Sequence, residues 1–145
     1  MLSSDGESAR ETWGSLKIEV RYARGLPPSR EDPETHRSTP CKYAVRICAG
    51  GVTKITRYVA CDDQGCVFKE TLRFDIATAY TTSPVVIEVL RQGDSALNFC
   101  SASVELHQFN RFLPWRRREI KMSGDVLVGL SSTSSLQVAR HMHTW

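Results

Sequence analysis

The sequence lacks any apolar run long enough to cross a bilayer. Runs such as Ser83-Pro84-Val85-Val86-Ile87 hold only a few apolar residues, against the ~20 that a spanning helix needs. There is no charged-then-apolar leader in Met1-Leu2-Ser3-Ser4-Asp5-Gly6-Glu7, so an intracellular, cytoplasmic location is expected. Aromatic residues are sparse, at 8%. Their parity in the chain turns most of them inward, which leaves no stacking platform and no expected nucleic-acid partner. The excess of one charge is small, +3 at pH 7 with pI ≈ 8.7. That alone implies no polyanionic target. Catalytic signatures are missing as well: there is no Gly-x-Ser-x-Gly elbow, phosphate loop, His-Glu-x-x-His or dinucleotide fingerprint. Neither an enzyme nor a cofactor is expected. Cysteines number 5, an odd count that excludes a framework made wholly of disulfides, and cytosolic thiols are the default. Cys61-x4-Cys66 has the look of a metal half-site, but no second half follows. His107 is isolated and His141-x-His143 lies far away, so no metal is expected.

What is present is the composition of an ordinary soluble domain. Of 145 residues, 41% are hydrophobic and 24% charged, enough to build one sizeable core. The dominant pattern has period two, the mark of half-buried strands. Leu16, Ile18, Val20 and Tyr22 alternate with Lys17, Glu19 and Arg21. Cys41, Tyr43, Val45 and Ile47 alternate with Lys42, Ala44 and Arg46. Phe68, Leu72, Phe74 and Ile76 share one parity opposite Lys69, Thr71, Arg73 and Asp75, and Glu70 interrupts the apolar side. Further sets are Val85, Ile87 and Val89; Cys100, Ala102, Val104 and Leu106; and Val126, Val128 and Leu130. Val52–Val59 and Arg118–Met122 carry weaker patterns.

Turn chemistry separates these runs. Gly25-Leu26-Pro27-Pro28 follows the first, and Gly50-Gly51 reads as a hairpin because positive φ is cheap for glycine. Asp62-Asp63-Gln64-Gly65, Gln92-Gly93-Asp94 and Ser123-Gly124-Asp125 mark later turns. Short strands with one apolar face each must pack against another sheet. The expected fold is all-β, an eight-stranded antiparallel β-sandwich over residues 14–131. Residues 1–13 read as a flexible flank. Ser131-Ser132-Thr133-Ser134-Ser135 reads as the start of a linker, with 132–145 as a tail that holds at most a short helix. A further short helix is expected around His107–Phe112.

The order of strands and loops resembles a C2 domain, the calcium- and lipid-binding sandwich family. Leu16-Lys17-Ile18-Glu19-Val20-Arg21-Tyr22-Ala23-Arg24-Gly25-Leu26 is similar to the opening strand and its turn. Pro40-Cys41-Lys42-Tyr43-Ala44-Val45-Arg46-Ile47 is similar to the strand that usually begins Asp-Pro-Tyr. Val67-Phe68-Lys69-Glu70-Thr71-Leu72-Arg73-Phe74 resembles the Trp-Asn-Glu-x-Phe-x-Phe strand, with Phe68 in place of the Trp. Val85-Val86-Ile87-Glu88-Val89-Leu90 leads to the third apical loop. Trp115 after Phe112-Leu113-Pro114, and Gly124-Asp125-Val126-Leu127-Val128, fit the closing stretch.

The departures from the family pattern carry the functional expectation. Calcium wants six to eight oxygen ligands, supplied in the family by about five carboxylates on two apical loops. Here Thr39 precedes Pro40, or Cys41 precedes Lys42-Tyr43, where an Asp should stand. Glu31 and Asp32 supply one ligand at most. The third loop has Arg91-Gln92-Gly93 with one acid, Asp94, and an arginine repels a cation. No calcium is expected.

The resemblance therefore implies a calcium-independent, non-catalytic interaction module. Its setting would be protein–protein docking within a larger scaffold, cytoskeletal or ciliary protein. The alternative is a peripheral membrane module that binds anionic phospholipid or phosphoinositide through basic strands. Lys42, Arg46, Lys54, Arg57, Lys69 and Arg73 are the candidate residues. Lys42, Arg46, Lys69 and Arg73 share outward parity and are expected to meet on one face, where the plainer reading is a solvated surface. Arg116-Arg117-Arg118 with Lys121 is the densest basic run. It suits either an anionic partner or an edge strand protected by charge.

Overall fold

The structure is a computed structural model, and it describes residues 12–77, 83–93, 99–109 and 116–134. Every strand pair in it is antiparallel. The strands are β1 (Thr12–Arg24), β2 (Ser29–Glu31), β3 (Ser38–Pro40), β4 (Lys42–Ala49), β5 (Val52–Ile55) and β6 (Val59–Asp62). They continue with β7 (Gly65–Ala77), β8 (Val85–Arg91), β9 (Cys100–Val104), β10 (Arg116–Lys121) and β11 (Leu127–Ser134). The main hydrogen-bonded path runs β10-β11-β1-β7-β6-β4-β8-β9, with β5 also paired to β4. One half, β10-β11-β1-β7, faces the other, β4-β8-β9 with β5, and β6 joins them at one edge.

Alternation makes the sandwich. Leu16, Ile18, Phe74, Ile76, Val128 and Leu130 from one half share a single core cluster with Tyr43, Val45, Ile47, Ile87 and Val89 from the other. Burying a Val, Leu, Ile or Phe side chain fully contributes about 1.5–3 kcal/mol, so neither half is stable alone. The Gly50-Gly51 turn joins β4 to β5 with φ of 61° and 80°, as the hairpin reading requires.

Several expectations are refined. The principal sheet holds 9 strands rather than eight, and β2 and β3 form a separate hairpin. β2 and β3 are exposed at every position, so no apolar alternation announces them. The expected single strand Val52–Val59 is two strands. Thr56 interrupts them, but its hydroxyl accepts the Val45 N–H at 2.9 Å and its own N–H reaches the Val45 carbonyl at 2.9 Å. The weak Arg118–Met122 pattern is the strand Arg116–Lys121. The helix expected near His107–Phe112 is one 3-10 turn, Leu106–Phe109, among the described residues.

The serine run is no linker as far as Ser134. Ser131, Ser132 and Ser134 are buried and pair with Glu19, Ile18 and Leu16 of β1. Short hydroxyl side chains fit a covered strand when they are bonded, and the Ser134 hydroxyl donates to the Phe109 carbonyl. Tyr22 does not join the inward set. A bulge between Val20 and Tyr22 shifts the register by one, so Tyr22 turns outward and Ala23 is buried. Residues 1–11 of the flank, the expected tail helix near Leu136–Ala139, and the quoted Phe112, Trp115 and Asp94 lie outside the described residues.

Candidate functional site

The ends of β1, β6 and β8 and the starts of β4, β7 and β11 gather at one end of the sandwich. There Arg24 pairs with Leu127, Tyr43 with Arg91 and with Val59, and Asp62 with Gly65. This is the end where the resemblance implies a metal site. In the β2–β3 hairpin Arg30 is directly opposite Thr39, so their side chains share one face. Arg30, Thr39, Pro40 and Cys41 line a cleft of ≈ 80 Å³ with Arg91 and Gln92 from the β8 exit. The Arg91 guanidinium stands 5.1 Å from the centre of the Phe99 ring, which meets Tyr43 edge-on at 5.7 Å. The Tyr43 hydroxyl donates to the Pro27 carbonyl at 2.7 Å, and burial pushes its pKa up to about 12.

Calcium does not fit this cleft. Its charged lining is two guanidinium groups, and Thr39, Cys41 and Gln92 offer few oxygens. Among the described residues, the two acids of the β2–β3 hairpin, Glu31 and Asp32, have partners within the hairpin. Glu31 is one residue out of phase with Arg30 and lies 3.3 Å from the His36 imidazole. The Asp32 carboxylate accepts the Glu34 N–H at 2.9 Å, which holds the hairpin turn. Asp62 does the same at the β6–β7 turn, accepting the Gln64 N–H at 2.8 Å. Among the described residues no cluster of three His, Cys, Asp or Glu side chains forms. Cys61 and Cys66, read as thiols or as a metal half-site, are joined by a disulfide across this hairpin. Their directly paired positions explain it.

A second candidate lies on the outer face of the β7-β1-β11-β10 half. The register sets cross-strand rows. Arg73, Lys17 and Thr133 form one, and Thr71, Glu19, Ser131 and Arg117 the next. Val67, Tyr22, Gly129 and Glu119 form a third, and Arg24, Leu127 and Lys121 a fourth. The extra residue of the bulge, Arg21, sits between the second and third rows. Arg21, Tyr22, Arg117, Arg118, Glu119, Gly129 and Leu130 line a depression of ≈ 360 Å³. The Tyr22 ring lies across Gly129, where a Cβ would meet ring carbons at 2.3 Å. The Tyr22 hydroxyl donates to Glu119 at 2.5 Å, and Arg24 also binds that carboxylate. These bonds, the tyrosine's first, hold the Glu119 carboxyl below the usual carboxylate range; the same bond raises the Tyr22 pKa.

The predicted basic residues do not converge. Lys42 and Arg46 point outward from the β4 half. Lys69 and Arg73 belong to β7, in the opposite half, so the single basic face expected from their parity does not exist. Arg46 is bonded to Glu88 at 2.8 Å across β4 and β8. Arg57 binds Glu70, whose carboxylate also accepts the Arg57 N–H at 3.1 Å. Lys54 is on the inward parity of β5 and lies 5.8 Å from the Phe74 ring centre. Arg118 turns toward the 3-10 turn and donates to the Gln108 carbonyl and side chain. The Arg116 side chain is outside the described residues. Arg73 and Arg117 do share a face with Lys121 of the same basic run, joined by Lys17, Arg21 and Arg24, which were not among the expected binding residues. The charged alternation of β1 was the signal available for them.

No family model matches the chain, and no curated protein does. Solved structures do. A fragment of extended synaptotagmin 2 that joins an SMP domain to two C2 domains superposes at a TM-score of 0.67 with 15% identity, over 91% of this chain and 30% of that one. The first C2 domain of plant extended synaptotagmin 1 gives 0.64 and 12% identity over 88% of this chain and 98% of that one. Human GIVD cytosolic phospholipase A2 gives 0.59 and 17% identity over 88% of this chain and 17% of that one. The tandem C2 domains of extended synaptotagmin 2 with calcium bound match as well, at 0.65 and 15% identity, over 86% of this chain and 43% of that one. The chain spans 40% of the length of another tandem C2 fragment that it matches. The fold is C2-like.

Proposed function

We propose that this C2-type sandwich is a non-catalytic, calcium-independent interaction module that docks a protein partner. The observation that carries the proposal is the pair Arg30 and Arg91 in the apical cleft, where a calcium ion would need carboxylates. Without the ion, the apical loops have no bridge to lipid phosphate. The charge distribution favours a protein over a bilayer. The candidate strand cations are split between two faces, and Arg46 and Arg57 are neutralised within the chain. An anionic membrane attracts bases by about 1 kcal/mol each near its surface, which rewards a single uniformly positive face. In this reading the module serves a larger cytoplasmic protein of scaffold, cytoskeletal or ciliary type. Among the described residues no helix is long and apolar enough to cross a membrane.

Co-sedimentation with vesicles containing phosphatidylserine and a phosphoinositide, with and without calcium, tests the proposal. The protein is expected to stay in the supernatant in both conditions. Calcium-dependent pelleting would reject the reading. Calcium-independent pelleting abolished in Lys17→Glu or Arg73→Glu would establish the membrane alternative instead.

A further inference from the structure

The outer face of the β7-β1-β11-β10 half carries the features of a protein-binding hot spot. Tyrosine and arginine dominate such spots, set in a concavity with apolar neighbours. Here Tyr22, Arg21 and Arg117 all line the ≈ 360 Å³ depression. Val67, paired with Tyr22 on the next strand, is 59% exposed, the most of the large hydrophobics among the described residues. The volume falls in the range of ligand-accepting pockets, roughly 300–1,000 Å³. The site is also pre-shaped. The β1 bulge fixes the Arg21 backbone, Gly129 lets the Tyr22 ring lie flat, and Glu119 pins the hydroxyl. Little ordering remains for a partner to impose.

We infer that this depression is the docking site for an acidic, extended segment of a partner protein, with one of its carboxylates seated between Arg21 and Arg117. The inference rests on the interaction-module reading and names its surface and the chemistry of its partner. Arg21 and Arg117 form no ion pair among the described residues, whereas Glu119 is already engaged by Tyr22 and Arg24. An arriving carboxylate therefore finds two guanidinium groups whose local acid is occupied. Lys17, Arg24, Arg73 and Lys121 extend the positive field around the depression and would steer an acidic chain toward it. Glu19, Glu119 and Asp75 lie among these bases on the same face. They break up the positive field, which weakens the pull of a uniformly anionic bilayer, whereas a polypeptide segment can place its carboxylates against the bases alone.

The test titrates ¹⁵N-labelled protein with a short glutamate-rich peptide and follows the amide spectrum. Saturable shifts are expected at Arg21, Tyr22, Arg117 and Gly129. Replacing both Arg21→Gln and Arg117→Gln should weaken binding by about tenfold or more, with the melting temperature unchanged because both side chains reach solvent. Lys121→Gln, on the same face but outside the depression, should change affinity by only about twofold. Equal losses in both variants, shifts scattered over other faces, or no saturable shift would overturn the inference. Phosphatidylserine vesicles that bind without calcium and perturb the same four amides would overturn it in favour of a membrane face. Peptide failure with calcium-insensitive behaviour intact rejects this inference alone. Calcium-dependent vesicle binding rejects the module reading beneath it.

Discussion

At the scale of single residues, the least typical arrangement is the contact of Tyr22, Gly129 and Glu119 on an open sheet face. Glycine in a strand costs stability, and a tyrosine ring over it recovers buried area. Gly129→Ala places a methyl into ring carbons 2.3 Å away, so the ring must swing off. The expected result is a folded protein in which Tyr22 titrates nearer its ordinary value, seen by its ultraviolet absorbance against pH. The acid side follows from the same bond. Glu119 is held below the ordinary carboxylate range chiefly by the Tyr22 hydroxyl and then by Arg24. A group with a lowered folded pKa adds stability that is complete above the ordinary range and lost as pH falls through the lowered value. Tyr22→Phe should therefore raise the Glu119 pKa, read by NMR titration of its side-chain carboxyl. An unchanged value would show that Arg24 alone sets it. Neither contact was legible in the sequence. Alternation assigned Tyr22 to the core, and one bulged residue reversed it.

At the scale of elements, β4 and its flanks show how the sandwich edge is closed. Thr56 sits between β5 and β6, 4% exposed, and its hydroxyl takes the Val45 N–H while donating to the Arg57 carbonyl at 3.0 Å. Thr56→Val keeps the shape and leaves that N–H unpaired, a loss of about 1–3 kcal/mol measurable by urea denaturation. A loss below a few tenths would mean that water replaces the hydroxyl. The cysteines divide by element too. Cys41 and Cys100 are buried, and burial pushes the Cys100 thiol up to about 11; Cys48 is half-buried on β4, and Cys61 and Cys66 are bonded. Iodoacetamide followed by peptide mass analysis should label Cys48 first, and Cys61 and Cys66 only after reduction. The alternating strands were readable because each buries one face. The β2–β3 hairpin was not, since it buries neither, and the serine strand β11 was hidden because its covered side chains are polar. The Cys61–Cys66 bond was missed because redox expectation spoke against it, while only pairing across the turn brings the two together.

At the scale of the whole molecule, parity along the chain specified which side chains leave the core but not which of the two halves they leave from. Lys42 and Arg73 have the same parity and emerge on opposite faces, so a basic patch assembled from parity alone dissolved. A different one, built on Lys17, Arg21 and Arg117, took its place. At the apical end, the missing carboxylate at Thr39 and the arginine at position 91 are visible as letters, and both line the cleft. The structure adds that Arg30 joins them, and that Glu31 and Asp32 are turned to other work. In the proposed function this end binds no calcium. A ligand that binds only the folded state must stabilise it, by about 2.7 kcal/mol at a hundredfold excess over its dissociation constant. The most direct measurement is thermal unfolding in millimolar calcium against chelator, at matched ionic strength. Coincident transitions are expected; a melting temperature raised by several degrees in calcium would mean that the folded domain binds the ion.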